Sequence, residues 1–207
     1  MPTLVKNAVL GLCIAATFLL VLSTAGAQVP AHSDEVAGAV GYDHTTMTNS
    51  LSSSGNPTSD HFFSGSGGYN ISPHIAALGE YKFDPLATPL GNAFTWHSQL
   101  IGGAARYNFT PSRKIVPYAI VGIGFYWLTA SMPGTVENAG GYYVNFGGGI
   151  SYYLGNHWGI RPEFRYERQH ARYKGEEFLT SNVVDLSGSI FFQFGRSGNK
   201  KVARAHK

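Results

Sequence analysis

The stretch Trp158-Gly159-Ile160-Arg161-Pro162-Glu163-Phe164-Arg165-Tyr166-Glu167 decides the fold. Trp158, Ile160, Pro162, Phe164 and Tyr166 take every second position, and Arg161, Glu163, Arg165 and Glu167 take the alternate ones. A helix would scatter those four charges around its axis, whereas a strand collects them on one face. The stretch therefore reads as a β-strand with one greasy face and one ionic face.

The same alternation recurs on both sides of it. Val184, Leu186, Gly188, Ile190, Phe192 and Phe194 alternate with Asp185, Ser187, Ser189, Phe191 and Gln193. Upstream, Tyr142, Val144, Phe146, Gly148, Ile150, Tyr152 and Leu154 alternate with Asn145, Gly147, Gly149 and Ser151. Further upstream, Ile75, Ala77, Tyr81 and Phe83 oppose Glu80 and Lys82, while neighbouring segments are blurred by Gly and Ala. Eight segments are predicted, at 35–44, 61–72, 75–83, 94–109, 115–129, 140–154, 158–170 and 182–194. Tight turns at Ser72-Pro73-His74, Thr110–Arg113 and Gly155-Asn156-His157 alternate with loops at Thr45–Asp60, Asp84–Ala93, Ser131–Ala139 and Ala171–Ser181. That alternation is what an antiparallel up-and-down meander gives when its short turns share one end. An open eight-strand sheet would expose a long sticky edge, so the meander is expected to close into a barrel.

Period two does not say which face is inside. A soluble sandwich or lipocalin-like barrel would bury the aromatic face and wet the charged one. Three features favour the inverse. Aromatics gather at both strand ends, with Tyr69, Tyr107, Phe109, Tyr118, Trp158 and Phe194 by the turns and Tyr42, Phe83, Trp96, Trp127 and Tyr166 by the loops; such girdles belong at membrane interfaces. Gly147, Gly149 and Gly159 fall on the ionic face, where a narrow interior has little room. The ionic face also nearly balances: Lys82, Arg106, Arg161 and Arg165 against Glu80, Glu163, Glu167 and Asp185. These eight residues are the predicted luminal charge network. The expected fold class is thus all-β, an eight-stranded antiparallel up-and-down transmembrane β-barrel.

Composition agrees. Of 207 residues only 13% are charged, too few for a disordered chain, and 26 glycines with 14% aromatics suit strands better than helices. Lys6 precedes an apolar run from Ala8 to Leu22 and then Ser23-Thr24-Ala25-Gly26-Ala27, so residues 1–27 are expected to be a cleavable secretory signal peptide. Residues 28–195 would form the barrel domain, and 196–207 a basic disordered periplasmic tail containing Arg196, Lys200, Lys201, Arg204 and Lys207. Removing those five charges and Lys6 from the formal +3 leaves −3, which removes any case for a nucleic-acid partner. Cys13 is the only cysteine and lies in the signal segment, so the mature chain lacks thiol chemistry and disulfides.

Four stretches carry a resemblance to a known family. They are Val116-Pro117-Tyr118 through Gly122-Ile123-Gly124, Phe146–Ile150, Trp158–Tyr166, and Ser187-Gly188-Ser189-Ile190-Phe191-Phe192-Gln193-Phe194-Gly195. Over about 35–195 the chain resembles the small outer-membrane β-barrel proteins of the OmpA/OmpX type. The resemblance implies periplasmic termini and short turns, loops at the cell surface, and no cofactor. It implies no single activity, because members of one fold do different things. The tail beyond Phe192 and Phe194 departs from the family pattern, which ends on a terminal aromatic, and the peptidoglycan-binding domain of OmpA proper is not expected.

The expected function is a structural or surface-interaction scaffold displaying four extracellular loops over a closed, polar-packed lumen. The alternative is a narrow porin-like channel for ions or small solutes. A secreted soluble barrel and a lipid A-modifying hydrolase rank below these. The hydrolase needs a Ser–His pair oriented by an acid, and only Glu167 and His170, with Ser181 in the next segment, tempt that reading. No enzyme activity is therefore expected. His61, His74, His97 and His157 show no ligand spacing, so no metal is expected either. Asn70-Ile71-Ser72 and Asn108-Phe109-Thr110 match a glycosylation pattern common by chance, and Gly147-Gly148-Gly149 lacks the Lys of a phosphate loop. The expected partners are outer-membrane lipids including lipopolysaccharide, the barrel-insertion machinery and an unspecified surface ligand, for a monomer in the outer membrane of a Gram-negative-type bacterium.

Overall fold

The computed structural model describes residues 29–48, 58–85, 95–132, 135–173 and 176–195. Eight strands follow in chain order: β1 (Ser33–Thr48), β2 (Thr58–Asn70), β3 (Ile75–Asp84), β4 (Thr95–Asn108), β5 (Ile115–Met132), β6 (Thr135–Tyr153), β7 (Trp158–Tyr173) and β8 (Glu176–Phe194). Each pairs antiparallel with its sequence neighbour, and β1 pairs with β8 from Asp34↔Phe194 to Thr48↔Thr180, closing the barrel. The described residues contain no helix. The predicted signal segment 1–27 and tail 196–207 lie outside the described residues, as does the predicted loop Asp84–Ala93 from residue 86 onward.

The barrel is built inside out. Phe63, Ile101, Val121, Ile123, Phe125, Phe146, Phe164 and Leu186 are exposed on its outer wall, while Arg106, Glu35, Asp43 and Gln193 are buried within. On β7 the apolar outer positions run from Trp158 to Tyr166, and on β8 from Val184 to Phe194. At about 3.3 Å per residue and about 40° of tilt, these bands stand roughly 20–25 Å tall, the height of the apolar belt of an outer-membrane barrel. Girdle aromatics flank the band. Tyr69, Tyr107, Phe109, Trp158 and Phe194 lie outside near the end that carries the tight turns and both strand termini (the terminal end), and Tyr42 and Trp127 lie outside near the far end.

Two sequence expectations are corrected. Tyr118, expected in the girdle, is buried in the lumen, because parity along β5 turns Pro117 and Ala119 outward instead. The predicted loops Ser131–Ala139 and Ala171–Ser181 are largely strand: ladders continue to Met132↔Thr135 and Tyr173↔Glu176, with only two residues between the strands in each case. Polar residues there mislead because a wall standing above the membrane has water on its outer side and no need of an apolar face. β5, β6 and β8, of 18, 19 and 19 residues, outreach β2 and β3, of 13 and 10, so the far rim is higher on one side. The side chain of Trp96 lies outside those described.

Glycines on the inner wall make room for large luminal groups. A Cβ on Gly149 would stand 2.5 Å from Tyr118 Oη, and one on Gly159 would stand 2.7 Å from Phe191 Cζ. Any side chain at either position would also press on the neighbouring strand's backbone, at Pro162 O and Tyr152 O respectively, as well as on the lumen's contents.

Candidate functional site: the lumen

All eight residues predicted for the luminal charge network lie on the inner wall, and they arrange in three tiers. At the terminal end, Glu35 of β1 grips two guanidinium groups. Arg106 of β4 donates from Nη1 to Glu35 Oε1 at 2.7 Å and from Nη2 to Oε2 at 2.8 Å. Arg161 of β7 approaches Glu35 Oε1 with Nη1 at 2.8 Å and donates from Nε to Ser151 at 2.9 Å. Gln193 Nε2 adds a third donor to Glu35 Oε2 at 3.0 Å. Beneath this, Val29, Val116, Tyr153 and Phe191 form a buried apolar cluster across the terminal mouth, with the Arg161 guanidinium 4.4 Å above the Phe191 ring. Asn70 and Asn108, the two glycosylation-pattern asparagines, are both buried at this end, where Asn70 Nδ2 donates to Ser33 Oγ and Asn108 Nδ2 to Pro73 O.

The middle tier centres on Arg165 of β7. Its Nη groups donate to both oxygens of Glu80 on β3 at 2.7 and 2.6 Å, and its Nε to Glu163 at 2.6 Å. The remaining Glu163 oxygen accepts from Tyr118 Oη at 2.6 Å. The Arg165–Glu80 pair joins strands on opposite sides of the barrel, a fork-on-fork contact that only a narrow cylinder permits. A cavity of about 70 Å³ lies against this tier, lined in part by Asn145, Arg106, Arg165 and Glu167, with room for several water molecules.

The far tier is differently composed. Lys82 donates to both oxygens of Asp185 at 3.0 Å and lies 3.7 Å from Asp43. Glu167 accepts from Gln169. The apolar cluster Leu100, Tyr126, Leu128, Ala139, Tyr143 and Ala171 fills the β4–β7 side of this end.

Four acids escaped the sequence reading: Glu35, Asp43 and Asp84 are buried on the inner wall, and Asp60 faces the same way and is half-buried. Parity would have found Glu35 and Asp43, but the inner positions between them are Ala37, Ala39 and Gly41, which mute the alternation. Asp84 and Asp60 sit on residues read as loop. The expected four-against-four balance is therefore corrected to eight acids against four bases on the inner wall of the described residues.

The structure separates the residues that tempted a hydrolase reading. Glu167 points into the lumen, whereas His170 is on the outer wall, stacked on Tyr142 and in contact with Thr180. Ser181, opposite Gln169 on the adjacent strand β8, is buried inside, on the other face of the wall from the imidazole. Among the described residues no group of three His, Cys, Asp or Glu side chains stands at metal-ligand geometry.

The sequence matches the family described as outer membrane protein beta-barrel domain over residues 17–188. No curated protein matches it. Solved structures share its fold at low identity. Neisserial surface protein A is 16% identical, with a TM-score of 0.60 over 77% of this chain and 97% of its own. Ail, the attachment invasion locus protein of Yersinia pestis, is 10% identical with a TM-score of 0.46, over 77% of this chain and 98% of its own. The outer membrane protein OprG of Pseudomonas aeruginosa is 11% identical with a TM-score of 0.47, over 82% and 99%.

Proposed function

Because this chain belongs to the outer membrane protein β-barrel domain family, whose barrels reside in the outer membrane of Gram-negative bacteria, we propose that it is a surface scaffold: a sealed barrel that holds its far-end hairpins and connections outside the cell. One observation carries the reading. Glu35, with Arg106 and Arg161, spans the terminal end of the lumen directly above the Val29–Val116–Tyr153–Phe191 cluster. Opening that end requires separating buried ions from their counter-ion, which costs several kcal/mol. Binding then belongs to the rim, where a rigid wall positions variable residues. Rim hairpins replace two of the four expected loops, leaving residues 49–57 and 86–94 as the longer connections.

The partners follow from the surfaces. A continuous apolar outer wall calls for lipid around a monomer. Arg168, exposed two positions beyond Tyr166 on β7, stands where phosphorylated headgroups of lipopolysaccharide would lie. Phe192 and Phe194 at the end of β8 are the aromatics an insertion machinery would read. Catalysis forms no part of the proposal, given that Glu167 and His170 face opposite ways. The second reading, a narrow channel, is favoured by the central cavity against Arg106, Arg165 and Glu167. Planar-bilayer recordings of the refolded protein separate the two: the scaffold predicts a silent bilayer, and steady single-channel steps overturn it.

A further inference from the structure

The lipid-facing wall carries few ions. Among the strand residues whose side chains are described, Asp34 at the terminal end and Arg168 and Arg172 at the far end are the charged residues that face outward. Arg168 lies ten positions beyond Trp158 on β7. At about 3.3 Å per residue and about 40° of tilt it stands roughly 25 Å above the terminal girdle, the full height of the apolar belt. The two arginines differ in their surroundings. Arg172 is paired in register with Glu177, an acid, on β8. Arg168 is paired with Val144 on β6 and Asn182 on β8, with Tyr166 and His170 beside it on its own face of β7, and none of these is acidic. It is exposed, and no carboxylate of the described residues forms an ion pair with it.

The side chains around Arg168 are held in place. Tyr166 packs against the Phe146 ring at 5.3 Å between centroids, and its hydroxyl donates to Asn182 Oδ1 at 2.6 Å. With its oxygen so engaged, the Asn182 amide keeps Nδ2 as a donor beside Arg168. His170, stacked on Tyr142 at 5.0 Å, bounds the site on the rim side. A guanidinium fork with a fixed amide donor next to it matches the oxygens of a phosphate. The wall also orders what surrounds that phosphate. Below Arg168 the outer positions are Tyr166, Phe164, Val184 and Leu186, which suit acyl chains. Above it the β7–β8 ladder continues to Tyr173↔Glu176, roughly 12 Å of further wall at the same rise and tilt. The outward positions there include Asn182 and Thr180 on β8, with Thr46 beside them on β1. A phospholipid headgroup would reach only the foot of this wall, whereas sugars attached to the phosphate would lie along it. The short strands β2 and β3 offer neither a lipid-facing cation nor a wall of that height.

We propose that the outer face of β7 and β8 around Arg168 binds a phosphate group of a phosphorylated glycolipid of the outer leaflet. The guanidinium forks two phosphate oxygens and Asn182 Nδ2 donates to a third. Acyl chains lie along Phe164 and Leu186, and the sugars rise along Thr180 and Thr46. A single sector of the wall carries this arrangement, so each barrel retains one such lipid. The proposal rests on the lipid-facing outer wall of the scaffold reading and names the lipid that the wall selects. Quenching of Phe164→Trp by brominated acyl chains tests the wall itself, so a barrel that is quenched yet shows no preference for the glycolipid loses the site alone.

The test uses the full barrel refolded in zwitterionic detergent, with chelator present so that no divalent ion bridges phosphates. Native mass spectrometry counts the molecules retained on titration with lipid A, the phosphorylated glycolipid core of lipopolysaccharide, and with dephosphorylated lipid A or phosphatidylglycerol. Inorganic phosphate is added as a competitor. The expected result is saturation at one lipid A per barrel, with the other two lipids at least tenfold weaker and no competition from an equal concentration of phosphate. Arg168→Gln should lower lipid A affinity at least tenfold, and Arg168→Lys should restore part of it without the fork. Asn182→Asp, which sets a carboxylate against the phosphate, should lower it several-fold. Arg172→Gln, at the position paired with Glu177, should leave it within about twofold. The heat-induced gel-mobility shift checks that each variant is folded, and Asn182→Asp carries the test should Arg168→Gln fail to fold. Equal binding by the parent and the variants at 168 and 182, or equal binding of dephosphorylated lipid A, overturns the proposal. Phosphatidylglycerol held as tightly as lipid A overturns it in favour of a non-selective anionic annulus, and competition by inorganic phosphate overturns it in favour of a free-anion site.

Discussion

Replacing Glu35 with Gln preserves its volume and removes one negative charge from the terminal tier. Glu35 is the shared counter-ion of Arg106 and Arg161, whose side chains are 1% and 5% exposed. In the variant an amide NH₂ confronts guanidinium donors, and two buried positive charges lose their compensation. Removing one partner of a buried pair costs about 3–5 kcal/mol, and the doubled load places Glu35→Gln at about 4 kcal/mol or above. Glu80→Gln is the matched control. Its partner Arg165 keeps Glu163 at 2.6 Å, and the side chains of the pair are 16% and 13% exposed, so water shares the burden. Loss of a charge-assisted contact of that kind costs roughly 1.5–3 kcal/mol. In guanidinium titrations of the detergent-refolded protein, with a slope of roughly 4 kcal/mol per molar, the midpoint should fall by about 1 M for Glu35→Gln and by about half that for Glu80→Gln. Equal midpoints for the two variants, or a Glu35→Gln protein within 1 kcal/mol (an order-of-magnitude bound) of the parent, would refute the view that the terminal tier is the electrostatic keystone of the lumen.

Other expectations are open to direct measurement. Phe164→Trp, with other tryptophans accounted for by difference, should be quenched by brominated acyl chains, while a thiol introduced by Glu163→Cys should react far more slowly than one on the rim; equal reactivity would reverse the inside-out assignment. Gly149→Val should displace Tyr118 from Glu163 and cost about 1–3 kcal/mol of stability in the same titration. Phe191→Ala removes the ring beneath Arg161 and opens the terminal cluster. It should lower stability by about 3–5 kcal/mol and raise bilayer conductance above that of the parent; a silent, fully stable variant would show that the cluster does not form the plug.

The architecture was legible where large side chains alternate with charges. Arg161 to Glu167 on β7 fixes both the period and the polarity, and Phe191, though apolar, falls among the inner residues of β8 because Asp185 and Gln193 set the parity. Legibility failed for three physical reasons. Inner positions filled by Ala and Gly on β1 leave Glu35 and Asp43 without a visible pattern, since the barrel needs small residues where large ones reach in from across the lumen. Strand segments above the membrane face water on their outer side, so Asn138, which accepts a hydrogen bond from Thr129 on the extended hairpin, looks like loop. And a lone Tyr118 cannot declare its face, because an aromatic at a strand end serves equally as a girdle or, with Gly149 opposite, as luminal packing.

The charges that seal the lumen also fix the register of the sheet. Side chains alternate with a strict period of two, so a one-residue slip of β7 would turn Arg161, Glu163, Arg165 and Glu167 into the lipid and bring Ile160, Phe164 and Tyr166 inside. An Arg on the lipid face costs up to about 2–4 kcal/mol depending on depth and a Glu less, so two of each together cost an amount comparable with the roughly 5–15 kcal/mol stability of a typical domain. In a water-soluble barrel the same slip would be opposed by exposure of the core. Here hydrocarbon on the outside makes apolar burial nearly neutral between the two registers, and the ionic face alone decides. That is why β7 carries four charges and pairs with Asp185 on β8: specificity in this wall comes from what lipid excludes, and the sealed lumen is the consequence.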